Sequence, residues 1–451
     1  MTKNLLLISY HFPPDLAVGA IRPGKLWKFL QDHGWNVKVL TVPVHCYPRV
    51  DSHYKEEESH TKIQTVAPWP NIRDAYLWLK NLNIWRRGLP VGTALENEWV
   101  PPETAVSETK KQMLKRYVQS LLVWLPDDKM GWVPSAVPAG VKEVRHSGID
   151  AVMTTSPPNS VQLIGLAIKR WTGIPWLADF RDPWGWEMKP IFVRSGLSDA
   201  VDAWMESKVV ASADRVISVT PEMTARLVTR YPVYRKDKFL TISNGFDPED
   251  FKVFEGAAKR HRITFTYAGS FYLGRDPETF LCALKKLSDN KQLELDNVCV
   301  RLIGNCRYLY GKSIEAIVSR LQLQDVVRFI DPVPRNQAIC EMARSHVLLL
   351  FAPDQPLQIP AKVFEYIGLG SWILAVCGPG ATQNLLRGYS RAVVVAPNDM
   401  VSMEEGILQL IRCAEKHTID EYANTSPDSY RYSNLAAQLA TILDTATDKK
   451  R

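Results

Sequence analysis

The sequence predicts an α/β protein with two doubly wound parallel-sheet domains, and three observations carry this prediction. Short aliphatic and β-branched runs alternate with longer segments that have the 3.6-residue period of amphipathic helices. Most of the short runs are continuously apolar, as in parallel strands that are buried on both faces. The alternation starts again near Ile263, after a polar, turn-rich stretch at 243–250 and a basic run at 259–262. Strand–helix repetition of this kind implies right-handed crossover connections.

Eleven runs are predicted as strands. They lie at residues 5–8, 37–42, 151–154, 175–178 and 215–219 in the first half, and at 263–268, 298–303, 326–330, 346–351, 372–376 and 392–396 in the second. The helix predicted at 21–32 ends at His33-Gly34, because glycine commonly stops a helix. A further helical run covers 435–443. These elements predict an N-terminal domain at 1–245, a C-terminal domain at 246–430, and a C-terminal helix and tail at 431–451.

The composition excludes several classes of protein. Of the 451 residues, 46% are hydrophobic and 23% are charged, which argues against disordered and collagen-like chains. The seven cysteines are scattered without a C-x-x-C pair, so we expect neither a disulfide framework nor a zinc site. This use of cysteine is typical of a protein in a reducing compartment. A net charge of +7 is too mild to indicate binding to nucleic acid. We see no signal peptide and no apolar run of about 18–20 residues, so the sequence predicts a cytoplasmic protein.

Residues 69–132 interrupt the N-terminal domain with a tryptophan-rich insertion. Two of its segments, 75–89 and 110–125, have an apolar helical stripe beside lysines and arginines. Basic amphipathic helices with tryptophan at the apolar edge suit the surface of an anionic membrane. Helical stripes more commonly pack onto a domain core. The sequence leaves both interpretations open.

The first candidate site is the loop after the first strand, which reads Tyr10-His-Phe-Pro-Pro-Asp-Leu-Ala-Val-Gly19 and continues to Pro23. A loop that leaves the carboxyl end of a parallel strand and enters a helix is where α/β domains bind ligands. Gly19 permits close backbone approach, and free N–H groups at the helix start favour an anion such as phosphate. No segment has G-x-G-x-x-G after a strand or G-x-x-x-x-G-K-[ST], which argues against dinucleotide oxidoreductases and P-loop NTPases. A tight connection without a ligand is the structural alternative.

The second candidate follows the strand predicted at 175–178 and reads Asp179-Phe-Arg-Asp-Pro-Trp184. Two acids and an arginine at the exit of a strand are costly inside a fold unless they are paired or functional. Arg181 and Asp182 are therefore candidate ligand-binding residues. The structural alternative is a salt bridge between Arg181 and an aspartate that holds the loop.

Two further candidates lie in the C-terminal domain. The loop after its first predicted strand has Gly269 and Arg275, whose guanidinium group can reach phosphate oxygens. If Pro360 opens a helix, the helix N-terminus and Lys362 would face an anion. Glu365 lies on the same helix face and can accept hydrogen bonds from sugar hydroxyls, with a solvated Lys362–Glu365 pair as the alternative.

Together these motifs resemble the GT-B glycosyltransferases of family 4, especially the bacterial branch of exopolysaccharide and O-antigen assembly. The resemblance covers residues 5–397, weakly at 45–125. It rests on eight motifs in the expected order, at residues 10–19, 34–37, 156–160, 179–184, 214–219, 243–247, 268–275 and 360–365. It implies two Rossmann-like domains that face a cleft, with the acceptor bound by the N-terminal domain and a nucleotide-sugar by the C-terminal one.

The resemblance also implies roles for individual residues. The expected catalytic residues are Asp182, Arg275 and Lys362, and the two cations would neutralise the departing diphosphate. The expected donor-binding residues are Gly19, Gly269, Ser270, Arg275, Gln358, Lys362 and Glu365, with Glu365 on the ribose. The expected acceptor-binding residues are His11, Arg181 and Asp182. Enzymes of this family transfer with retention and without a metal, so neither a metal nor another cofactor is expected.

Three positions depart from the family pattern. The first Glu of its E-x7-E motif falls at Leu357, beside Gln358. The arginine that follows the glycine of the second domain is Ser270 here, and the paired glycines of the first loop are Val18-Gly19. The contacts to the donor sugar are therefore altered, whereas the nucleotide-diphosphate site keeps its outline.

The sequence thus predicts a cytoplasmic glycosyltransferase, peripheral to the membrane, that acts in surface polysaccharide synthesis. Its donor would be a nucleotide-diphosphate sugar, and its acceptor a lipid-linked saccharide or a similar molecule. One alternative is a degenerate GT-B subunit that binds nucleotide and partners an active transferase, in keeping with Leu357 and Ser270. The other is a nucleotide-sugar 2-epimerase, which would need further acid/base residues that face the sugar.

Overall fold

The computed structural model describes residues 2–51, 62–70, 125–184, 196–254, 256–272, 274–416 and 427–448. The chain forms two compact units. The first consists of Met1–Val219, Met223–Ile242 and Ala436–Arg451, and the second consists of Thr220–Glu222 and Ser243–Leu435. The chain therefore returns to the first unit within its last helix.

The first unit is built on a seven-stranded parallel sheet in the order β3-β2-β1-β4-β5-β6-β7. Strands β1 to β7 are Lys3–Ser9, Trp35–Thr41, Ile63–Thr65, Ala151–Ser156, Trp176–Phe180, Arg215–Ser218 and Phe239–Thr241. The described helices in this part of the chain, α1 to α5, are Ile21–Leu30, Val133–His146, Ser160–Thr172, Gly196–Ser212 and Pro221–Arg230.

The second unit is built on a six-stranded parallel sheet in the order β12-β9-β8-β13-β14-β15, with a small β10-β11 hairpin. Strands β8 to β15 are Ile263–Ala268, Val298–Ile303, Tyr308–Leu309, Lys312–Ser313, Val327–Ile330, Val347–Ala352, Trp372–Cys377 and Ala392–Val395. Helices α6 to α12 are Glu278–Asp289, Ile314–Arg320, Arg335–Ala343, Lys362–Gly368, Ala381–Arg387, Met400–Lys416 and Tyr432–Asp448.

Burial explains why the central strands are continuously apolar. All six residues of β13 are buried, because side chains on both faces of the strand enter apolar clusters. Leu349 packs with Phe265 and Phe280 on one face, and Leu348 packs with Val363 and Phe364 on the other. Helices thus cover both faces of the sheet, and the predicted doubly wound α/β class is confirmed.

All eleven predicted strands form, with boundaries that differ by at most two residues. The first helix ends at Leu30, and a short 3₁₀ turn leads to Gly34 in the left-handed region, at φ 78°. Four strands were not predicted: β3, β7, β10 and β11. Each has only two or three residues, which is too short to show a hydrophobic period.

The predicted amphipathic helices at 75–89 and 110–125 lie outside the described residues, apart from Leu125. Within the ranges that the structure describes, no helix is both long and apolar enough to cross a membrane.

Candidate functional site

The predicted site residues lie at or next to the point in each sheet where the strand order reverses. In the first sheet the reversal falls between β1 and β4, and in the second it falls between β8 and β13. Ligands of open α/β sheets bind outside the carboxyl ends of the strands at such a point. The loops after β1 and β5 supply His11, Gly19 and Arg181 in the first unit. The loop after β8 and the start of α9 supply Arg275 and Lys362 in the second.

In the first unit, three predicted site residues come together. A Cβ added at Gly19 would lie 3.5 Å from the Cβ of His11 and 3.5 Å from both terminal nitrogens of Arg181. These are ordinary contacts, so the fold itself does not demand a glycine at this position. Asp182, the fourth predicted residue of this unit, follows Arg181 in the chain and is half-buried.

The Arg181 side chain holds three loops of the first unit together by hydrogen bonds. Its side chain donates hydrogen bonds to the carbonyl oxygens of Ser156 (2.9 Å), Pro157 (2.8 Å) and Gly19. The loops after β1, β4 and β5 are thereby held to one another. The sequence left open a salt bridge between Arg181 and an aspartate of its loop. Asp179 is not that partner, because its carboxylate is bound by Arg22 and Thr155.

Asp179 pairs with Arg22, which sequence reasoning did not single out. Arg22 Nε donates to Asp179 Oδ2 at 3.1 Å, and Nη2 donates to Oδ1 at 2.9 Å. Thr155 Oγ1 donates to Oδ2 at 2.7 Å, and Arg22 also donates to the Ile242 carbonyl at 3.1 Å. Both charged side chains are almost completely buried. This pair therefore connects α1 to the end of β5.

His11 is partly exposed and pairs with the buried Asp15, which the sequence analysis did not single out. The ring Nδ1 lies 2.6 Å from Asp15 Oδ2, and Asp15 Oδ1 accepts from the Ala17 N–H at 3.0 Å. Burial lowers the pKa of His11, and the nearby cations Arg181 and Lys129 act in the same direction against the attraction of Asp15. The neutral ring is therefore favoured.

In the second unit, Lys362 begins α9 and points back at the end of β8. Its ammonium group donates to the Ala268 carbonyl at 2.7 Å and lies 4.1 Å from the centre of the Tyr267 ring. Burial, followed by the charge of Arg275, lowers the pKa of Lys362 to about 7. The helix begins at Lys362 and not at Pro360, two residues later than expected.

Arg275 and Gly269 complete the surroundings of Lys362. The Arg275 side chain is buried against Tyr272, with its guanidinium carbon 4.1 Å from the ring centre. Its Nε is buried and has no hydrogen-bond partner in the described part of the chain. Gly269 has φ +145°, and a Cβ there would lie only 2.6 Å from Lys362 Nζ. Glycine is therefore required at 269.

Glu365 does not pair with Lys362. Its Oε1 accepts two hydrogen bonds from Arg335, at 2.7 Å from Nη2 and 3.2 Å from Nε, and Arg335 Nη2 also bonds Asp250 Oδ2 at 3.1 Å. The solvated Lys362–Glu365 pair, the alternative from the sequence, is therefore wrong. Glu365 is oriented by Arg335.

Two predicted donor residues are held through their backbones. The Ser270 carbonyl accepts from the Tyr267 hydroxyl at 2.9 Å, and the Gln358 carbonyl accepts from Thr382 Oγ1 at 3.1 Å. These bonds position the two loops that flank Lys362. The roles of both residues in donor binding stay predictions.

The arrangement in the second unit suits an anion. The Lys362 and Arg275 side chains lie close to each other, and the buried Arg275 Nε–H has no partner among the described residues. Burying like charges and a free donor is costly unless a negative group binds there. A diphosphate would supply both the charge and the acceptor oxygens. In the described ranges, no group of three His, Cys, Asp or Glu side chains is placed to hold a metal ion.

The residues that sequence reasoning missed are Arg22, Asp15 and Arg335. Asp15 and Arg22 lie in the loop after the first strand, at residues 10–23. Charged residues so close to the end of a strand could have been predicted as site residues. Arg335 carries no such signal, because it lies 30 residues from Glu365 in the sequence.

Comparisons with known proteins agree with this geometry. The model of the glycosyl transferase 4-like domain matches residues 22–245. The D-inositol 3-phosphate glycosyltransferase of Streptomyces avermitilis is 28% identical over 204 residues, which are 42% of this chain and 44% of that protein. The match thus spans less than half the length of this relative.

Two solved structures share the fold along nearly the whole chain. Sucrose-phosphate synthase from Thermosynechococcus elongatus has a TM-score of 0.61 at 15% identity and covers 98% of both chains. Anabaena HepE in complex with UDP and glucose has a TM-score of 0.54 at 13% identity, over 99% of this chain and 98% of that one. By sequence match, residues 22–245 are similar to the glycosyl transferase 4-like domain, and by fold the chain has the GT-B architecture of two Rossmann-like units.

Proposed function

We propose that the protein is a glycosyltransferase that uses a nucleotide-diphosphate sugar as its donor. One observation carries the proposal: Lys362 and Arg275 lie close together near the strand-order reversal of the second sheet, and the buried Arg275 Nε has no hydrogen-bond partner among the described residues. A diphosphate fits this chemistry because it brings negative charge and several acceptor oxygens.

The relatives support the proposal by their activities and ligands. The curated relative is a glycosyltransferase, and HepE shares the fold and holds UDP and glucose in its structure. A UDP-sugar is therefore the first donor to test. The lipid-linked acceptor, the role in surface polysaccharide synthesis, the retention of configuration and the contact with a membrane are parts of the proposal that rest on family resemblance.

The proposed chemistry assigns Lys362 and Arg275 to the leaving group. As the bond between the anomeric carbon and the phosphate oxygen breaks, negative charge develops on the diphosphate. Positive side chains already oriented toward this charge lower the barrier without reorganisation. The two side chains would thus neutralise the diphosphate charge that a metal ion neutralises in other transferases. Transfer should therefore persist in excess EDTA. Glu365, oriented by Arg335, would accept hydrogen bonds from the ribose.

The first test replaces the two cations. Arg275→Ala and Lys362→Ala should each lower turnover by about 10²–10³, the usual loss of an electrostatic stabiliser. Gly269→Ala should weaken UDP binding, because its Cβ would displace the Lys362 ammonium group. Gly34→Ala is the matched control: Gly34 also has positive φ, yet a Cβ there meets nothing within 4 Å. UDP binding is measured by thermal shift, and turnover by UDP release from UDP-sugars.

The outcomes also separate the alternative functions. Near-normal rates in both alanine variants would show that the donor site is elsewhere. Interconversion of UDP-sugars without any acceptor would identify an epimerase. Tight UDP binding without turnover over a broad acceptor panel would identify a degenerate subunit.

A further inference from the structure

We propose that Tyr310, at the tip of the β10-β11 hairpin, is a positioning residue, and that its hydroxyl group holds the loop that presents Arg275 to the donor diphosphate. The inference rests on the proposed function and adds to it a residue outside the motifs that the sequence predicted. Tyr310 acts on the diphosphate only through Arg275, so its effect can be told apart from a general effect on the fold.

The hairpin has an unusual residue at its tip. Leu309 pairs with Lys312, and the two residues between them, Tyr310 and Gly311, have φ values of 52° and 79°. Two-residue turns with positive φ at both positions favour Asn-Gly. A tyrosine in this conformation is strained, and strained residues cluster at ligand-binding sites. The turn itself therefore does not explain the tyrosine.

The Tyr310 side chain contacts the loop that leads to Arg275. The Gly274 N–H donates to the Tyr310 hydroxyl oxygen at 3.0 Å. Gly274 has φ 76°, and a Cβ there would lie 3.3 Å from Cγ of Pro353, so the loop is closely confined on that side. Arg275 is the next residue in the chain. The hydrogen bond thus fixes the backbone directly before the cation.

Arg275 depends on this loop for its position. Its N–H donates to the Tyr272 carbonyl at 3.2 Å, and its guanidinium carbon lies 4.1 Å from the centre of the Tyr272 ring. The side chain is buried, yet its Nε has no hydrogen-bond partner among the described residues. A loop held at Gly274 keeps this N–H in one place, and such preorganisation favours the binding of a ligand.

The hairpin is itself fixed to the second unit. Leu309 is buried in an apolar cluster of this unit. Lys312 Nζ pairs with Glu278, at the start of α6, and lies 3.9 Å from Asp276 Oδ2. Together with the hydrogen bond from Gly274, these contacts follow the chain from 274 to 278. The hydroxyl group of Tyr310 therefore belongs to a firm support for the loop.

The first test removes the hydroxyl group. In Tyr310→Phe we expect the affinity for UDP to fall by about threefold to tenfold, the usual effect of one lost hydrogen bond. Tyr308→Phe is the matched control, because Tyr308 is in the same hairpin and is 61% exposed; it should bind UDP as wild type does. Uridine, which has no phosphate, should bind all three proteins alike. Isothermal titration calorimetry measures these affinities.

A double-mutant cycle shows whether Tyr310 acts through Arg275. In the Arg275→Ala background there is no guanidinium group to position, so adding Tyr310→Phe should change the UDP affinity by less than about twofold. A purely structural role of Tyr310 would give the same loss in both backgrounds.

Tyr310→Gly separates the side chain from the turn. Glycine takes positive φ without strain, so the hairpin should keep its backbone. The UDP affinity should nevertheless fall as it does in Tyr310→Phe. NMR of glycine-labelled protein follows the hydrogen bond directly: the Gly274 amide proton should exchange faster with solvent in both Tyr310 variants than in wild type.

Each outcome supports or overturns the inference. Wild-type UDP affinity in either Tyr310 variant overturns it, and so do equal losses in both Arg275 backgrounds or a Gly274 amide that exchanges at the wild-type rate in both variants. Weaker UDP binding that requires Arg275, with faster exchange at Gly274, supports it. A wild-type protein that binds no UDP overturns the proposed function, and with it this inference.

Discussion

Lys362 is the residue through which pH should act on donor binding. Its pKa of about 7 means that it is largely neutral above pH 7, while a bound diphosphate favours the protonated form. Binding should therefore take up a proton at alkaline pH. We expect UDP affinity to fall between pH 7 and 9, by at most about tenfold per pH unit. Isothermal titration calorimetry in two buffers of different ionisation enthalpy measures both the affinity and the proton uptake.

Lys362→Arg is the control for this pH dependence. Arginine stays charged throughout the range, so the variant should bind UDP with an affinity that changes little from pH 7 to 9. An equally flat profile in the wild-type protein would mean that the Lys362 ammonium group does not meet the diphosphate.

The buried Arg22–Asp179 pair should matter for stability. Arg22→Met removes the cation and leaves the Asp179 carboxylate buried with too few partners. Removing one member of a buried ion pair typically costs about 3–5 kcal/mol. The free energy of unfolding, measured with urea, should fall by that amount.

An exposed pair provides the comparison for Arg22. The Arg235 side chain is 87% exposed and pairs with Asp237, so Arg235→Met should change stability by less than about 1 kcal/mol. The double variant Arg22→Met/Asp179→Leu should regain part of the loss, because no unpaired charge is left. Equal effects of Arg22→Met and Arg235→Met would contradict this account of the buried pair.

At the scale of the elements, α3 packs against β5 through a glycine. A Cβ added at Gly165 would lie 2.4 Å from the indole of Trp176, which is completely buried and donates from Nε1 to Thr154 Oγ1 at 2.8 Å. The ring cannot move without breaking that bond. Gly165→Ala should therefore destabilise the protein by about 1–3 kcal/mol or more, as overpacked cores do.

Gly140 in α2 is the matched control for Gly165. A Cβ there would also meet an atom at 2.4 Å, but this atom is Cδ1, the flexible end of Ile168. Rotation of one side chain can relieve the contact, and alanine favours a helix interior by up to about 1 kcal/mol over glycine. Gly140→Ala should be much less costly in urea unfolding, and the reverse order of the two variants would disprove the packing argument.

At the scale of the whole molecule, the last helix should contribute to the stability of the first unit. Helix α12 begins in the second unit, but its residues from Ala436 onward belong to the first. Leu439 and Leu443 are fully buried there. A chain that stops after Leu435 should lose about 1.5–3 kcal/mol for each of these leucines and melt at a lower temperature. Thermal unfolding followed by circular dichroism measures the loss.

Ion pairs also join α12 to the first strand, and they should contribute little. Lys3 Nζ lies 2.9 Å from Asp444 and 3.1 Å from Asp448, two carboxylates that are at least half exposed. Lys3→Met should therefore cost less than about 1 kcal/mol. A loss as large as that of the truncation would mean that charge, and not apolar burial, holds the helix.

Much of the fold could be predicted because its signals are local. Strands β8 and β9 have the predicted bounds, since a continuous apolar run between polar turns is typical of a strand buried on both faces. The same reasoning failed for β3 and β7, whose three residues lie at the two edges of the first sheet and gain their hydrogen bonds from neighbours. Both interpretations of residues 75–89 and 110–125, membrane contact and core packing, stay open, because all of these residues except Leu125 lie outside the described part of the chain.

The sequence by itself determined the fold class, the order of the strands in the chain and the loops that carry Gly19, Arg181, Arg275 and Lys362. These depend on hydrophobic period and on residues within a few positions of a strand end. Only the tertiary structure decided the partners: Arg22 for Asp179, Arg335 for Glu365, and Asp15 as the carboxylate that orients His11. A charged side chain that is removed from water takes the nearest complementary group in space, and most of these groups lie far away in the chain.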